Sequence, residues 1–199
     1  RAKTKINDIA VELLEIESKR MSVKGFSFET KIKDYEKFIS YFPFIETEDQ
    51  TKTINEVISD MSKTKPMDRV VCGDVGFGKT EVIMRAAFIA SMNDKQTMIL
   101  APTTILVEQH FKTFSKRFEN TAINIGKLSR LQSTKERTLL LKNIADKKVD
   151  IIIGTHALLS RKVVFKNLKL LIIDEEHKFG VTAKEKIKKI KENIDVISL

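Results

Sequence analysis

The sequence predicts a three-layer α/β domain in which helices cover both faces of a mainly parallel sheet. From residue 69 onward, short apolar runs alternate with longer helix-forming stretches. Continuous apolar runs of this length are typical of parallel strands that are buried on both faces. A glycine-rich loop joins the first run to the first helix, and a pair of carboxylates follows a later run. The predicted strands cover 69–72, 97–101, 123–128, 149–153, 168–173 and 196–199, and the predicted helices cover 79–92, 104–118, 134–146 and 182–192.

Helices are also expected before this domain. An amphipathic helix is expected over 4–23, because apolar residues recur there at helical spacing. The apolar positions are Ile6, Ile9, Leu13 and Ile16. A second helix is expected at about 30–41. Thr47 and Gln50 then have the pattern of a capping box, which predicts a third helix extending to about Met61.

The glycine-rich loop has the complete pattern of a phosphate-binding loop, placed between a predicted strand and a predicted helix. Its residues are Gly73, Asp74, Val75, Gly76, Phe77, Gly78, Lys79 and Thr80. Glycines allow backbone N–H groups to approach phosphate oxygens, and the following helix presents its positive end to them. Lys79 is expected to reach the β and γ phosphates of ATP, and the Thr80 hydroxyl to bind Mg²⁺. The alternative is a glycine-rich turn that only opens a helix.

Two adjacent carboxylates, Asp174 and Glu175, follow the predicted strand 168–173. At the end of a buried strand in the same sheet as a phosphate loop, Asp174 is expected to hold Mg²⁺ and Glu175 to activate the attacking water. The alternative is a helix cap with a solvated neighbour.

Composition indicates the kind of partner and compartment. The formal net charge is +9 and the pI is about 9.5, which favours a polyanionic partner such as nucleic acid, although a lysine-covered solvated surface gives the same numbers. The one cysteine, Cys72, is expected in the core, and no internal disulfide is possible, which fits a reducing cytoplasm. No apolar run approaches the 18 residues or so of a membrane span.

Further motifs in sequence order resemble those of the superfamily 2 helicases and translocases. Ala101-Pro102-Thr103-Thr104, Ser129-Arg130, Gly154-Thr155-His156 and Asp174-Glu175-Glu176-His177 follow the phosphate loop in the order found in that superfamily. The resemblance implies that Gln50 reads adenine, whereas its place in the capping box predicts a helix-capping role instead or in addition. Phe44 would stack near adenine, and the alternative is a core or staple role. The resemblance also implies DNA contacts from Thr103, Arg130, Thr155 and His156. The alternatives are a helix start for Thr103 and a solvated charge for Arg130. His177 would couple the nucleotide and DNA sites.

Within that superfamily, four longer stretches resemble the transcription-repair coupling factors. These stretches are GDVGFGKTEVIMRAAF, LAPTTILVEQHF, IIIGTHALL and LLIIDEEHKFGV. Fork-remodelling helicases of the RecG type are the alternative, but they typically have Ser and Gln where this chain has Phe77 and Glu176.

The resemblance implies a P-loop NTPase of the RecA-like type, namely the first half of an ATP-dependent double-stranded DNA translocase. RNA polymerase and nucleotide excision repair proteins would bind other parts of a longer protein, and a second RecA-like domain would supply an arginine finger. A regulatory ATP-binding module without net turnover is a further alternative. Three units are expected: a linker helix over 1–25, a helical lead-in over 26–66 and the ATP-binding domain over 67–199, which would end before the superfamily's motif III.

Overall fold

The computed structural model describes residue 11, residues 14–15, residues 17–73 and residues 78–199. The strands are β1 Asp68–Val70, β2 Gln96–Leu100, β3 Ile125–Leu128, β4 Ile151–Gly154, β5 Leu168–Ile173 and β6 Asp195–Ser198. The α-helices are α1 Tyr35–Ser40, α2 Glu48–Met61, α3 Lys79–Met92, α4 Thr104–Arg117, α5 Thr134–Ala145 and α6 Val181–Lys191. Short 3₁₀ turns cover His156–Leu159 and Glu176–Lys178.

All six strands belong to one parallel sheet with the order β1-β6-β5-β2-β4-β3. In a parallel sheet the carboxyl ends of all strands meet at the same edge. Only β6 separates β1 from β5, so the loops that follow these two strands begin about two strand spacings apart, or roughly 10 Å. This order brings the phosphate loop and the paired carboxylates to one edge, and the predicted α/β architecture is confirmed.

The sheet divides the core into two layers. Successive residues of a strand point to opposite faces, so Ile172 packs with α3 and α4 whereas Leu171 and Ile173 pack on the other side with α5 and α6. Both faces are therefore covered, which explains the continuous apolar strands. Among the described residues, no helix combines the length and apolarity that crossing a membrane requires.

The helix after the phosphate loop is buried on all sides. Ten consecutive residues of α3, from Glu81 to Ala90, are buried. Two of them are charged. Arg85 donates to Glu81 (Nε to Oε1, 2.9 Å) and to Glu46 in the lead-in. Arg117 of α4 donates two further hydrogen bonds to Glu81, 2.8 and 3.0 Å long. Since the charges of α3 are paired with the lead-in and with α4, these three segments are fixed together.

The lead-in packs on α3 through aromatic rings. Phe38 of α1 stacks on Phe88 of α3 with 4.2 Å between ring centroids, and the Arg117 guanidinium lies 3.8 Å from the Phe38 centroid. The helix α1 is shorter than the predicted 30–41, whereas α2 follows the predicted capping box closely.

The predicted apolar seam of the linker helix, Ile6 to Ile16, lies outside the described residues, although residues 17–22 are helical. Arg20, which the sequence did not single out, anchors this helix. Its side chain is 2% exposed. It donates to the carbonyl oxygens of Pro66 (3.2 Å) and Met67 (2.8 Å), just before β1, and to that of Lys191 at the end of α6.

Asp195, at the start of β6, faces this anchor. It accepts a 2.7 Å hydrogen bond from the Met67 N–H, and its other carboxylate oxygen is buried without a hydrogen-bond partner. Burial raises the pKa of Asp195 from 3.8 to about 7, although the Met67 N–H and the charge of Arg20 act in the opposite direction.

The stability of the fold should therefore decline as pH rises from about 4 to about 7. Over this range folded Asp195 keeps a proton that the unfolded chain releases, so the unfolded state is favoured as pH rises. Three pKa units correspond to at most about 4 kcal/mol, at about 1.36 kcal/mol per unit. Denaturant unfolding of the chain and of Asp195→Asn at several pH values should show a smaller decline for the variant. Parallel pH profiles would contradict this assignment.

Candidate nucleotide-binding site and nucleic-acid edge

The described end of the phosphate loop has the backbone that its sequence requires. Gly78 precedes α3 in the left-handed conformation (φ 70°), which L side chains rarely adopt. Lys79 and Thr80 follow in the first turn of α3 and are partly exposed at its amino end. Asp74, Val75, Gly76 and Phe77 lie outside the described residues. The helix direction places the positive end of α3 at the carboxyl edge of the sheet, where a phosphate binds favourably.

Gln50 lies against this loop. A Cβ atom on Gly78 would come within 1.9 Å of the Gln50 Nε2 atom. Its side-chain oxygen accepts a 2.9 Å hydrogen bond from the Thr47 N–H, and the Thr47 hydroxyl accepts from the Gln50 N–H. The capping box is therefore confirmed, and it holds the Gln50 amide beside the phosphate loop. Adenine recognition by Gln50 stays a prediction.

A cleft of about 470 Å³ opens beside Gln50 and the start of α3. It is lined by Asp49, Gln50, Lys52, Thr53, Glu56, Val71, Cys72, Gly73, Lys79 and Val82. The prediction that Cys72 is a core residue is wrong, because its side chain is exposed. Strand β1 ends at Val70. The buried position after it belongs to Val71, and the Val71 N–H donates to the Ser198 carbonyl.

Phe44 is 72% exposed and makes an edge contact with Phe42, with ring centroids 5.6 Å apart. The core alternative for Phe44 is therefore wrong in this structure. Stacking on a base stays a prediction.

Asp174 and Glu175 leave β5 at the same edge, in different environments. The Asp174 N–H donates to the Leu100 carbonyl (2.8 Å), which extends the sheet pairing one residue beyond the strand. One oxygen of Asp174 accepts a 2.8 Å hydrogen bond from Nε2 of His110 in α4. Glu175 adopts a left-handed backbone (φ 49°, ψ 54°) and is paired with Lys178 at 2.5 Å. A residue other than glycine in this conformation is strained, and such strain is concentrated at functional sites.

Glu176, for which the sequence pattern predicted no role, connects its 3₁₀ turn to α6 and β6. Both of its carboxylate oxygens lie 2.9 Å from the Lys191 Nζ at the end of α6. The Ser198 hydroxyl of β6 donates to the same carboxylate at 3.2 Å. His177 follows in the 3₁₀ turn and is exposed. The side chain that bridges from this turn to β6 is thus Glu176, and coupling by His177 stays a prediction.

The available donors fit Mg²⁺ bound together with a nucleotide. Mg²⁺ prefers oxygen ligands and is usually held by one or two protein groups plus phosphate oxygens and water. The Thr80 hydroxyl and the Asp174 carboxylate are such ligands. Within the described ranges, no group of three His, Cys, Asp or Glu side chains could hold a metal ion without other ligands. Mg²⁺ that is bound together with a nucleotide does not need such a group, because phosphate oxygens and water supply the remaining ligands.

The predicted DNA-contact residues follow β2, β3 and β4, which are neighbours in the sheet, so they lie along one edge. Arg130 and His156 are exposed there. The Thr103 hydroxyl caps α4 by accepting from the Leu106 N–H (3.2 Å). Thr155 is 7% exposed and its hydroxyl accepts from the Ala157 N–H (3.4 Å). The two threonines thus shape the backbone of the edge, while Arg130 and His156 present free surface.

Comparison with protein families decides the classification. The DEAD/DEAH box helicase family matches residues 47–198. The chain belongs to this family. The match begins at the Thr47 capping residue and covers the phosphate loop, the Asp-Glu pair and the predicted DNA-contact edge.

Comparison with individual relatives gives a narrower classification than the helicase family. It is 53% identical over 199 residues to the transcription-repair-coupling factor of Haemophilus influenzae, and 50% identical over 199 residues to those of Escherichia coli and Bacillus subtilis. The chain spans 17% of the length of each of these relatives. The resemblance to transcription-repair coupling factors, which the four longer sequence stretches predicted, is therefore confirmed.

Two solved structures have a similar fold. A structure of RecG bound to a three-way DNA junction is 32% identical with a TM-score of 0.81, over 92% of this chain and 25% of that one. A hypothetical ATP-dependent RNA helicase from Sulfolobus tokodaii is 21% identical with a TM-score of 0.62, over 84% of this chain and 49% of that one, which shows the fold alone.

Replacing Gly78 by alanine should weaken ATP binding. The left-handed backbone costs a residue with a Cβ roughly 1–2 kcal/mol, and the new atom would displace the Gln50 amide. We expect about tenfold lower affinity or worse in a titration with a fluorescent ATP analogue.

Gly180→Ala is the matched control. Gly180 caps α6 in an extended conformation, and a Cβ there meets nothing within 4 Å. Equal losses in the two variants would contradict the role given to Gly78.

Proposed function

We propose that the chain is the first RecA-like motor domain of a transcription-repair coupling factor and works as half of an ATP-dependent double-stranded DNA translocase. The observation that carries this proposal is the 53% identity to such a factor over the whole chain. In the complete protein, translocation would remove stalled RNA polymerase and promote nucleotide excision repair. The proposed units remain 1–25 as linker helix, 26–66 as lead-in and 67–199 as ATP-binding domain.

The residues of the carboxyl edge divide the chemistry among them. The amino end of α3 and Lys79 would bind the β and γ phosphates of ATP. Thr80 and Asp174 would hold Mg²⁺, which neutralises charge that develops on the phosphates. Glu175 would accept a proton from the attacking water. Gln50 would read the adenine.

A RecG-type fork-remodelling helicase is the second candidate, favoured by the TM-score of 0.81 to RecG bound to a three-way junction. The two candidates differ in what they displace. Removal of stalled RNA polymerase from DNA by a protein that contains this domain supports the coupling factor, whereas unwinding of a branched DNA without polymerase removal supports the fork remodeller.

The 199-residue chain should bind ATP but hydrolyse it very slowly, with or without duplex DNA. Phosphoryl transfer requires positive charge on both sides of the γ-phosphate, and we propose that a second RecA-like domain supplies the other side. An arginine finger typically contributes about 10³–10⁵ in rate. Steady-state turnover should therefore be measured for this chain and for a protein that adds the second domain.

In the two-domain protein, DNA should stimulate turnover, and Glu175→Gln should abolish it while ATP stays bound. The variant ties the activity to this site. Robust DNA-stimulated turnover by the 199-residue chain alone would contradict the two-domain proposal, and no turnover by the two-domain protein would favour a regulatory module.

Arg130→Ala should weaken DNA binding by the two-domain protein and lower its salt dependence. Each phosphate contact contributes about 0.9 to the slope of log K against log salt, so the slope should fall by about 1 for every sequence tested. Lys148→Ala is the control, because Lys148 is exposed just before β4, at the opposite edge of the sheet. Unchanged affinity and slope in Arg130→Ala would make Arg130 a solvated surface charge.

A further inference from the structure

Among the described residues, His110 is the one side chain of α4 that forms a hydrogen bond or ion pair with the Asp-Glu pair. Its Nε2 atom lies 2.8 Å from the Asp174 Oδ2 atom. The two side chains are largely buried, at 14% and 16% exposure. The two residues are 64 positions apart in the sequence, and neither the capping motif of α4 nor the motif that contains Asp174 points to this contact.

The position of the His110 ring is set by the packing of α4. Val107 and Phe114, three residues before and four residues after His110, are fully buried on the same side of the helix. Asp174 is fixed independently, since its N–H donates to the Leu100 carbonyl of β2. The hydrogen bond therefore joins two groups whose backbones are already held in place.

The direction of this hydrogen bond follows from chemistry. An ionised carboxylate only accepts, so the Nε2–H group donates to Oδ2. Within the described part of the chain, the Asp174 side chain has no other hydrogen-bond or ion-pair partner. One oxygen is thus held by protein, and the other remains available to a cation.

We propose that His110 is a positioning residue for the Mg²⁺ site, and that it acts by fixing the orientation of the Asp174 carboxylate. Groups that hydrogen-bond to a metal-ligating side chain orient it, and their removal typically costs about 10–100-fold in metal affinity or activity. This inference rests on the proposed function, because it takes Asp174 as a ligand of the cation that accompanies ATP. It assigns His110 no contact with nucleotide or cation.

A positioning role and a purely structural role of His110 predict different effects on ATP binding. A histidine that only fills the core would affect ATP binding with and without Mg²⁺ to the same extent. A positioning residue affects only the Mg²⁺-dependent part, because the phosphate loop binds ATP phosphates without help from Asp174.

The test uses the 199-residue chain with a fluorescent ATP analogue, titrated in EDTA and then at increasing Mg²⁺. His110→Phe keeps a ring of similar size but cannot donate, whereas His110→Gln places an amide N–H close to the position of Nε2. We expect His110→Phe to raise the Mg²⁺ concentration for half-maximal binding about tenfold or more, with binding in EDTA changed less than about twofold. His110→Gln should recover most of the loss.

Gln109→Ala is the control on the same helix, since Gln109 is exposed and, among the described residues, its side chain takes part in no hydrogen bond. Thermal unfolding of each variant shows that it is folded. Wild-type Mg²⁺ dependence in His110→Phe, or equal losses in EDTA and in Mg²⁺, would overturn the inference. If His110→Phe does not fold, His110→Leu, which also cannot donate, replaces it: a raised Mg²⁺ requirement with little change in EDTA supports the inference, and wild-type Mg²⁺ dependence or a loss as large in EDTA as in Mg²⁺ overturns it. Failure of the unmodified chain to bind the analogue at all would overturn the proposed function as well.

Discussion

The structure depends on a helix that is buried on every side and yet carries charge. Glu81 and Arg85 of α3 lie in the interior, where an unpaired charge would be strongly destabilising. They are neutralised by Arg117 from α4 and Glu46 from the lead-in. Removing one member of such a buried network typically costs about 3–5 kcal/mol. The network joins the lead-in to the domain, and it holds the amino-terminal half of α3, the helix that follows the phosphate loop.

The pairing of the buried charges of α3 also explains how the start of α3 and the Asp-Glu pair are held relative to each other. Arg117 lies in the last turn of α4, and His110 lies two turns earlier on the same helix. The helix therefore bonds to α3 at one point and to Asp174 at another. Helix α4 thus sets the position of α3 relative to the Asp-Glu pair, although the strands before these two segments, β1 and β5, lie on opposite sides of β6 in the sheet.

The regular parts of the fold could be predicted from sequence because their signals are local. Helix α3 has the predicted bounds, since a phosphate-loop glycine precedes it and a strong helix-forming run follows. Helix α2 follows from its capping box. The ends of strands were predicted less accurately. The strand predicted over 69–72 ends at Val70 in the structure, so Cys72 lies in the cleft and not in the core. Short strands end where pairing ends, and pairing depends on a distant partner.

The contacts that the sequence did not predict join residues far apart in the chain. Arg20 is one of several basic residues on a helix, and nothing nearby distinguishes the buried one. His110 and Glu176 lie inside recognised motifs, but their partners, Asp174 for the first and Lys191 and Ser198 for the second, are identified only by the packing of the sheet.

The hydrogen bonds of Arg20 also have a mechanical consequence. Its carbonyl partners just precede β1 and β6, at the edge of the sheet opposite the nucleotide cleft. Tension applied to the chain at residue 20 would therefore be transmitted by this side chain to the backbone that precedes β1 and to the end of α6.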